Sequence, residues 1–234
     1  MSNKKIILAI DSTDIKEIKD MLEELSSDIN MVKIGPISFL SNYQSILEII
    51  QNFNLSIMFD FKFFDIPNTM IGSLDFLFKN NIDIFTVHSL AGPTALELLN
   101  KNLLEKEQES GIKRPKMFCV SILTSFDQTE MESIGLSDTI QNNILNLVER
   151  SIKAGADGIV CSGHEISLIR ENFGDSVEIL VPGIRFDSDD DDQKRVISPR
   201  DAFDSGADFI VLGRTITESE NRLKKLNDII KSLS

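Results

Sequence analysis

The sequence predicts an α/β protein, a single-domain (β/α)8 TIM barrel over residues 1–234, and three observations carry the prediction. Eight short apolar runs recur along the chain. Amphipathic stretches of helical period separate them. The length of 234 residues is close to the ~250 typical of such a barrel. Several runs are apolar without alternation, the pattern of strands buried on both faces and so of a parallel sheet. A doubly wound open sheet is the alternative, but no glycine-rich fingerprint follows the first run.

The runs, in order, are Ile6–Ile10, Met31–Ile34, Ser56–Phe59, Ile82–Val87, Met117–Leu123, Gly158–Cys161, Val177–Val181 and Phe209–Leu212. After the first run, Ile15, Ile18, Leu22 and Leu25 form a helical stripe, with Asp14 and Glu17 spaced as an N-terminal capping pair. Ile46, Leu47, Ile49 and Ile50 give the next helix its apolar face, and Leu74, Leu77 and Phe78 the one after the third run. Ile144, Leu147, Val148 and Ile152 do the same before the sixth run. Gly155-Ala156-Asp157 and Gly206-Ala207-Asp208 are an internal echo that ends a helix and opens a strand. Their glycines suit helix C-caps on the bottom face, a structural role.

Charge narrows the function. Lys+Arg 24 against Asp+Glu 37 leaves −13, which argues against a general binder of nucleic acid or anionic membranes. An anionic ligand would have to be held by a few local cations. Cys119 and Cys161 each sit in an apolar run without metal spacing, as buried thiols of a reducing compartment do. The run Ile6–Ile10 is too short for a signal core, and no segment approaches the ~18 apolar residues of a membrane span, so a cytoplasmic location is expected.

In a barrel of this kind chemistry belongs at the C-terminal ends of the strands. The polar residues there are Asp11, Lys33, Asp60, Lys62, His88, Thr124, Arg185 and Arg214. Alternation puts Met58, Asp60 and Lys62 on one face of the third run, with Asp65 just beyond it and Lys33 beside it. Lysines inside a barrel need carboxylate partners, and alternating Lys and Asp charges would hold an ammonium aimed as a proton donor requires. A buried ion-pair network closing the barrel top is the structural alternative. Arg185, Gln193, Gly213 and Arg214 follow the last two strands, where this fold often binds phosphate. Asp11 fits a helix cap as well as a ligand hydroxyl, and Thr124 with Ser125 fits a ring contact or a turn. His88 and His164 lack a second ligand at metal spacing, and no Cys-His or Ser-His nucleophile pair is present in the sequence pattern.

These residues resemble the orotidine 5′-phosphate decarboxylase family over essentially the whole chain. The carriers are Leu8-Ala9-Ile10-Asp11, Val32-Lys33-Ile34-Gly35, the block from Asp60 to Thr69 (Asp-Phe-Lys-Phe-Phe-Asp-Ile-Pro-Asn-Thr), Leu123-Thr124-Ser125, Pro182-Gly183-Ile184-Arg185, Asp192-Gln193-Lys194-Arg195 and Gly213-Arg214. The resemblance implies a (β/α)8 homodimer with shared active sites, no metal or organic cofactor, and orotidine 5′-phosphate as substrate, converted to UMP in pyrimidine synthesis. It implies Lys62 as proton donor to C6, flanked by Asp60 and Lys33, with Asp65 and Thr69 reaching into the neighbouring subunit's site. Asp11 and Lys33 would contact the ribose hydroxyls, and Thr124 would lie near the ring. Arg185, Gln193, Gly213 and Arg214 would grip the phosphate, with Arg185 to Pro199 as a loop over the site and Asp189 to Asp192 as its acidic segment. The chain departs from the family at Thr215, where members commonly carry proline.

Two other functions compete with this expectation. A related Mg2+-dependent barrel acting on sugar phosphates, such as a 3-keto-gulonate-phosphate decarboxylase or hexulose-phosphate synthase, shares the D-x-K-x-x-D core but not Asp65-Ile66-Pro67-Asn68-Thr69. A non-catalytic nucleotide-phosphate binder would not need a caged lysine.

Overall fold

The computed structural model describes residues 5–186 and 197–233. Eight strands close a barrel in sequence order: β1 (Ile6–Ile10), β2 (Met31–Ile34), β3 (Ser56–Phe63), β4 (Ile84–His88), β5 (Lys116–Val120), β6 (Gly158–Val160), β7 (Glu178–Val181) and β8 (Phe209–Leu212). Every neighbouring pair is parallel, and β8 returns to β1 through Ile6↔Ile210 and Leu8↔Leu212. The expected barrel is therefore present.

Helices α1 (Ile15–Leu25), α2 (Pro36–Asn52), α3 (Pro67–Gly72), α4 (Leu74–Lys79), α5 (Pro93–Ser110), α6 (Gln128–Ser133), α7 (Ile140–Lys153), α8 (Ile166–Phe173), α9 (Pro199–Asp204), α10 (Arg214–Thr217) and α11 (Arg222–Ser232) lie between and after the strands. Two apolar layers result from strand alternation. Ile7, Ala9, Met58, Ile84, Phe118, Val120, Val160, Leu180 and Val211 fill the barrel interior. Ile6, Leu8, Ile10, Phe85 and Val87 point outward and pack with helical residues such as Ile18, Leu22, Leu96 and Val148. Asp14 caps α1 by accepting from the Lys16 and Glu17 N–H groups. Glu17 does not complete a reciprocal box: its carboxylate accepts from Ser12 Oγ at 2.6 Å.

The bottom of the barrel repeats one device. Asn81, Gly155 and Gly206 each end a helix with φ of 50°, 89° and 108°. The next residue, Ile82, Ala156 or Ala207, donates its N–H to a carbonyl five residues back. The aspartate after that clasps the preceding strand. Asp83, Asp157 and Asp208 donate their N–H groups to the carbonyls of Ile57, Met117 and Ile179. Their carboxylates accept from the N–H groups of those same three residues, at 2.9, 2.8 and 2.8 Å. Arg114 and Arg170 neutralise two of them, Arg114 forking onto Asp157 with two bonds of 2.7 Å.

Several strand limits differ from the sequence expectation. β3 runs on to Phe63 through a register shift, because Phe59, Phe61 and Phe63 still find aromatic partners, the Phe59 and Phe61 rings stacking at 4.0 Å. β4 begins at Ile84, since Ile82 and Asp83 belong to the clasp. β5 stops at Val120, where Ser121 to Phe126 turn away with the Phe126 N–H on the Leu123 carbonyl. Among the described residues no helix is long and apolar enough to cross a membrane.

Candidate active site

Alternation decides which side chains reach the barrel mouth. The inward series Ile7, Ala9 on β1 leads to Asp11, Met31 on β2 to Lys33, and Met58 on β3 to Asp60. They meet in a cavity of about 290 Å³ lined by Ala9, Asp11, Lys33, Met58, Asp60, Lys62, Thr124, Val160, Leu180, Pro182, Gly183, Arg185, Val211, Gly213 and Arg214. Apolar barrel residues form its floor and charge forms its walls.

Asp60 is the hub of one wall. Its Oδ1 accepts from Lys62 Nζ at 2.9 Å, and its Oδ2 lies 3.7 Å from Lys33 Nζ. Lys33 also donates to Asp11 Oδ1 at 3.3 Å. Burial alone would raise the Asp60 carboxyl, but the Lys62 and Lys33 ammoniums and hydrogen bonds from Lys62 and Thr86 outweigh it. The net result is a carboxylate held below its ordinary range. Asp11, at the rim, is half exposed.

Lys62 departs from strand conformation. Its φ is 46°, a left-handed value rare for a side chain of this kind. Its N–H leaves the ladder and donates to Thr86 Oγ1 at 2.8 Å. Thr86, fully buried on β4, donates onward to Asp60 Oδ1 at 2.9 Å. Sequence reasoning missed Thr86. The available signal was a hydroxyl inside the otherwise apolar stretch Ile84 to Val87, inward by alternation and beside the Asp-Phe-Lys run.

The facing wall carries the other cations. Arg185 and Arg214 both border the cavity, next to Gly183 and Gly213. The Arg185 guanidinium donates to its neighbour's carbonyl, Ile184 O, at 3.1 Å. Thr124 lines the cavity from the turn after β5, whereas Ser125 is exposed and outside it.

The structure thus brings together Asp11, Lys33, Asp60, Lys62, Thr124, Arg185, Gly213 and Arg214. It leaves Asp65 and Thr69 outside the cavity of their own chain. Both are exposed beyond β3, and Asp65 Oδ1 accepts from the Ile66 N–H at 2.6 Å. Gln193, Arg195 and the acidic segment Asp189 to Asp192 lie outside the described residues. His88 caps a short turn, with Nδ1 accepting from the Leu90 N–H at 3.3 Å, and burial with the nearby Lys62 charge lowers its pKa. Cys119 and Cys161 are buried and unbridged, and burial pushes the Cys119 thiol up to about 12. Among the described residues no group of three or more His, Cys, Asp or Glu is arranged to hold a metal ion.

Comparison with known proteins adds an independent line. A family model described as "Orotidine 5'-phosphate decarboxylase / HUMPS family" matches residues 4–229. A protein of Prochlorococcus marinus (strain MIT 9215) named orotidine 5′-phosphate decarboxylase is 37% identical over 234 residues, covering 99% of this chain and 96% of the relative. One of the same name from Lawsonia intracellularis is 37% identical over 233 residues, covering 98% and 99%. The crystal structure of orotidine 5′-phosphate decarboxylase from Lactobacillus acidophilus superposes with a TM-score of 0.85 at 27% identity, covering 99% of both chains.

Proposed function

The chain belongs to the orotidine 5′-phosphate decarboxylase / HUMPS family, and we propose that it is a carboxy-lyase converting orotidine 5′-phosphate to UMP in pyrimidine biosynthesis, without a metal or organic cofactor. The observation that carries the reading is the pairing of Lys62 Nζ with Asp60 Oδ1 at 2.9 Å inside a cavity whose facing wall presents Arg185 and Arg214. One wall fits a reacting pyrimidine, the other a phosphate.

Loss of CO2 from C6 leaves a carbanion with no π system to spread its charge. A fixed ammonium at that position stabilises the charge as it develops and then supplies a proton, the role we give Lys62. Asp60 aims Lys62 and stands beside the departing carboxylate, so the loss of CO2 also separates two like charges. Lys33 counters Asp60 and, with Asp11, is positioned to hold ribose hydroxyls. Thr124 faces the ring. Arg185, Gly213 and Arg214, with Gln193, take the phosphate, whose remote binding energy serves the chemical step.

The exposed positions of Asp65 and Thr69 support a homodimer in which the partner subunit's Asp65 and the partner subunit's Thr69 complete each site. Exposed apolar side chains support the same assembly: Leu40, in α2 after β2, and Phe64 and Ile66, after β3, are 78%, 65% and 66% exposed. We place this enzyme in the cytoplasm and assign it no nucleic-acid or membrane partner, in keeping with its charge of −13.

The test is ultraviolet absorbance of orotidine 5′-phosphate with purified protein and excess chelator. Loss of the orotate chromophore with UMP as product is the expected result. Turnover that requires Mg2+, or turnover only of a sugar phosphate, would overturn it.

A further inference from the structure

We propose that Thr86 is a positioning residue for the reaction given above, its hydroxyl fixing the Asp60 carboxylate and the Lys62 backbone as one unit. The inference rests on that functional reading and adds a residue to it.

Three hydrogen bonds and the covalent side chain of Lys62 form a closed circuit. The Lys62 N–H donates to Thr86 Oγ1 at 2.8 Å, and Thr86 Oγ1 donates to Asp60 Oδ1 at 2.9 Å. The same oxygen accepts from Lys62 Nζ at 2.9 Å, and the Lys62 side chain joins that ammonium to its own backbone. A hydroxyl has one proton to give. Oγ1 accepts from the Lys62 N–H and its proton goes to Asp60, so turning that proton toward Lys62 would break both bonds. Thr86 is fully buried, so losing its hydroxyl costs the Lys62 N–H a partner inside the protein.

The circuit accounts for the backbone of Lys62. A left-handed lysine costs free energy and persists only where its surroundings over-determine it. Thr86 takes the N–H that this conformation withdraws from the sheet, just where β3 and β4 shift register between Phe59 and Phe63. Without the hydroxyl, the Lys62 N–H and half the support of Asp60 Oδ1 are lost together. The ammonium then loses its aim although every group that touches substrate is still present.

The experiment compares Thr86→Val and Thr86→Ser with the wild-type protein by steady-state kinetics on orotidine 5′-phosphate. Valine keeps the shape and removes the hydroxyl; serine keeps the hydroxyl. The expected result is a fall in kcat of about 10- to 100-fold for Thr86→Val with KM changed less than about threefold, and a kcat within about threefold of wild type for Thr86→Ser. A Thr86→Val enzyme with full kcat would overturn the proposal. So would a Thr86→Ser enzyme as impaired as Thr86→Val, since packing rather than the hydroxyl would then be responsible. If Thr86→Val does not fold, a Thr86→Ser enzyme whose kcat falls by more than about tenfold still overturns the proposal. Exchange of the Lys62 amide hydrogen needs no substrate and separates this inference from the reaction assigned above. Protection should hold in wild type and Thr86→Ser and be lost in Thr86→Val, and equal protection in all three would overturn it. Wild-type protein that leaves orotidine 5′-phosphate untouched would instead sink the assigned reaction.

Discussion

Lys62 reaches Asp60 from a left-handed backbone: its φ is 46°, yet its ammonium lies 2.9 Å from Asp60 Oδ1. A regular strand would project both side chains in parallel, two residues apart on the same face. The turn at Lys62 bends the ammonium back over the carboxylate. The pair is thereby held together by the protein's own contacts, which is the condition under which a charge can stabilise a transition state without reorganising.

Lys62→Ala should abolish decarboxylation while leaving the phosphate wall intact. We expect kcat to fall by at least about 10³-fold, the combined scale of a lost proton donor and a lost fixed charge. Binding of UMP, followed by calorimetry, should weaken far less. Unchanged turnover would remove Lys62 from the mechanism.

Asp65→Ala should be nearly as damaging, though Asp65 is outside its own chain's cavity. The two inactive variants should complement one another. A heterodimer of Lys62→Ala and Asp65→Ala subunits contains one site with both residues native, so mixing should restore activity. Failure to recover in mixtures shown to contain heterodimer would refute the shared site.

Arg214→Ala and Arg185→Ala should raise KM and lower kcat as well, because the phosphate's binding energy also serves the chemical step. Each removes a charge-assisted hydrogen bond to phosphate, on the order of 1.5–3 kcal/mol, or roughly 10- to 150-fold in affinity. An unchanged kcat/KM in both variants would place the phosphate elsewhere.

His88 should make stability fall on mild acidification. Burial, with the Lys62 charge, lowers its pKa below the ordinary value of 6.5, so the folded protein keeps it neutral while the unfolded chain takes up a proton. Its contribution is present above about pH 6.5 and is lost as pH falls below that toward the folded value. His88→Asn retains an acceptor for the Leu90 N–H but does not titrate. Urea unfolding at about pH 7.5 and about pH 5.5 should therefore show a smaller difference for the variant than for wild type. An equal difference would show that other groups govern this range.

Asp157→Ala should destabilise without touching the cavity. It strands the partly buried Arg114 guanidinium and the N–H of the fully buried Met117, at a cost of about 2–3 kcal/mol. The change should appear in the unfolding midpoint and leave KM unaltered.

Strand limits at β1, β2 and β8 were legible in the sequence because Asp11, Gly35 and Gly213 follow apolar runs that start after polar or turn residues. The inward face of β3 was legible for the same reason: alternation alone puts Met58 and Asp60 together. The far end of β3 was not, because a left-handed lysine leaves no mark in a hydrophobic pattern. It is fixed by Thr86, 24 residues on, and by a carboxylate two residues back. The bottom-face device was half legible. Gly155-Ala156-Asp157 and Gly206-Ala207-Asp208 announce it, but Asn81-Ile82-Asp83 performs the same bonds with different side chains, asparagine tolerating the left-handed turn and isoleucine filling the apolar place.

Those three clasps divide the barrel unevenly. Each ties an even strand to the odd strand before it: β3 with β4, β5 with β6, β7 with β8. The joint between β4 and β5 has backbone pairing but no carboxylate clasp from the next strand's leading residue. A chain divided after α5, in the turn at residues 111–113, would leave one clasp on the first fragment and two on the second. Each piece would carry its own register locks into reassembly. A barrel fastened in this way holds three two-stranded staves beside the unclasped β1 and β2, and the places where it can be reopened, permuted or recombined lie between the staves.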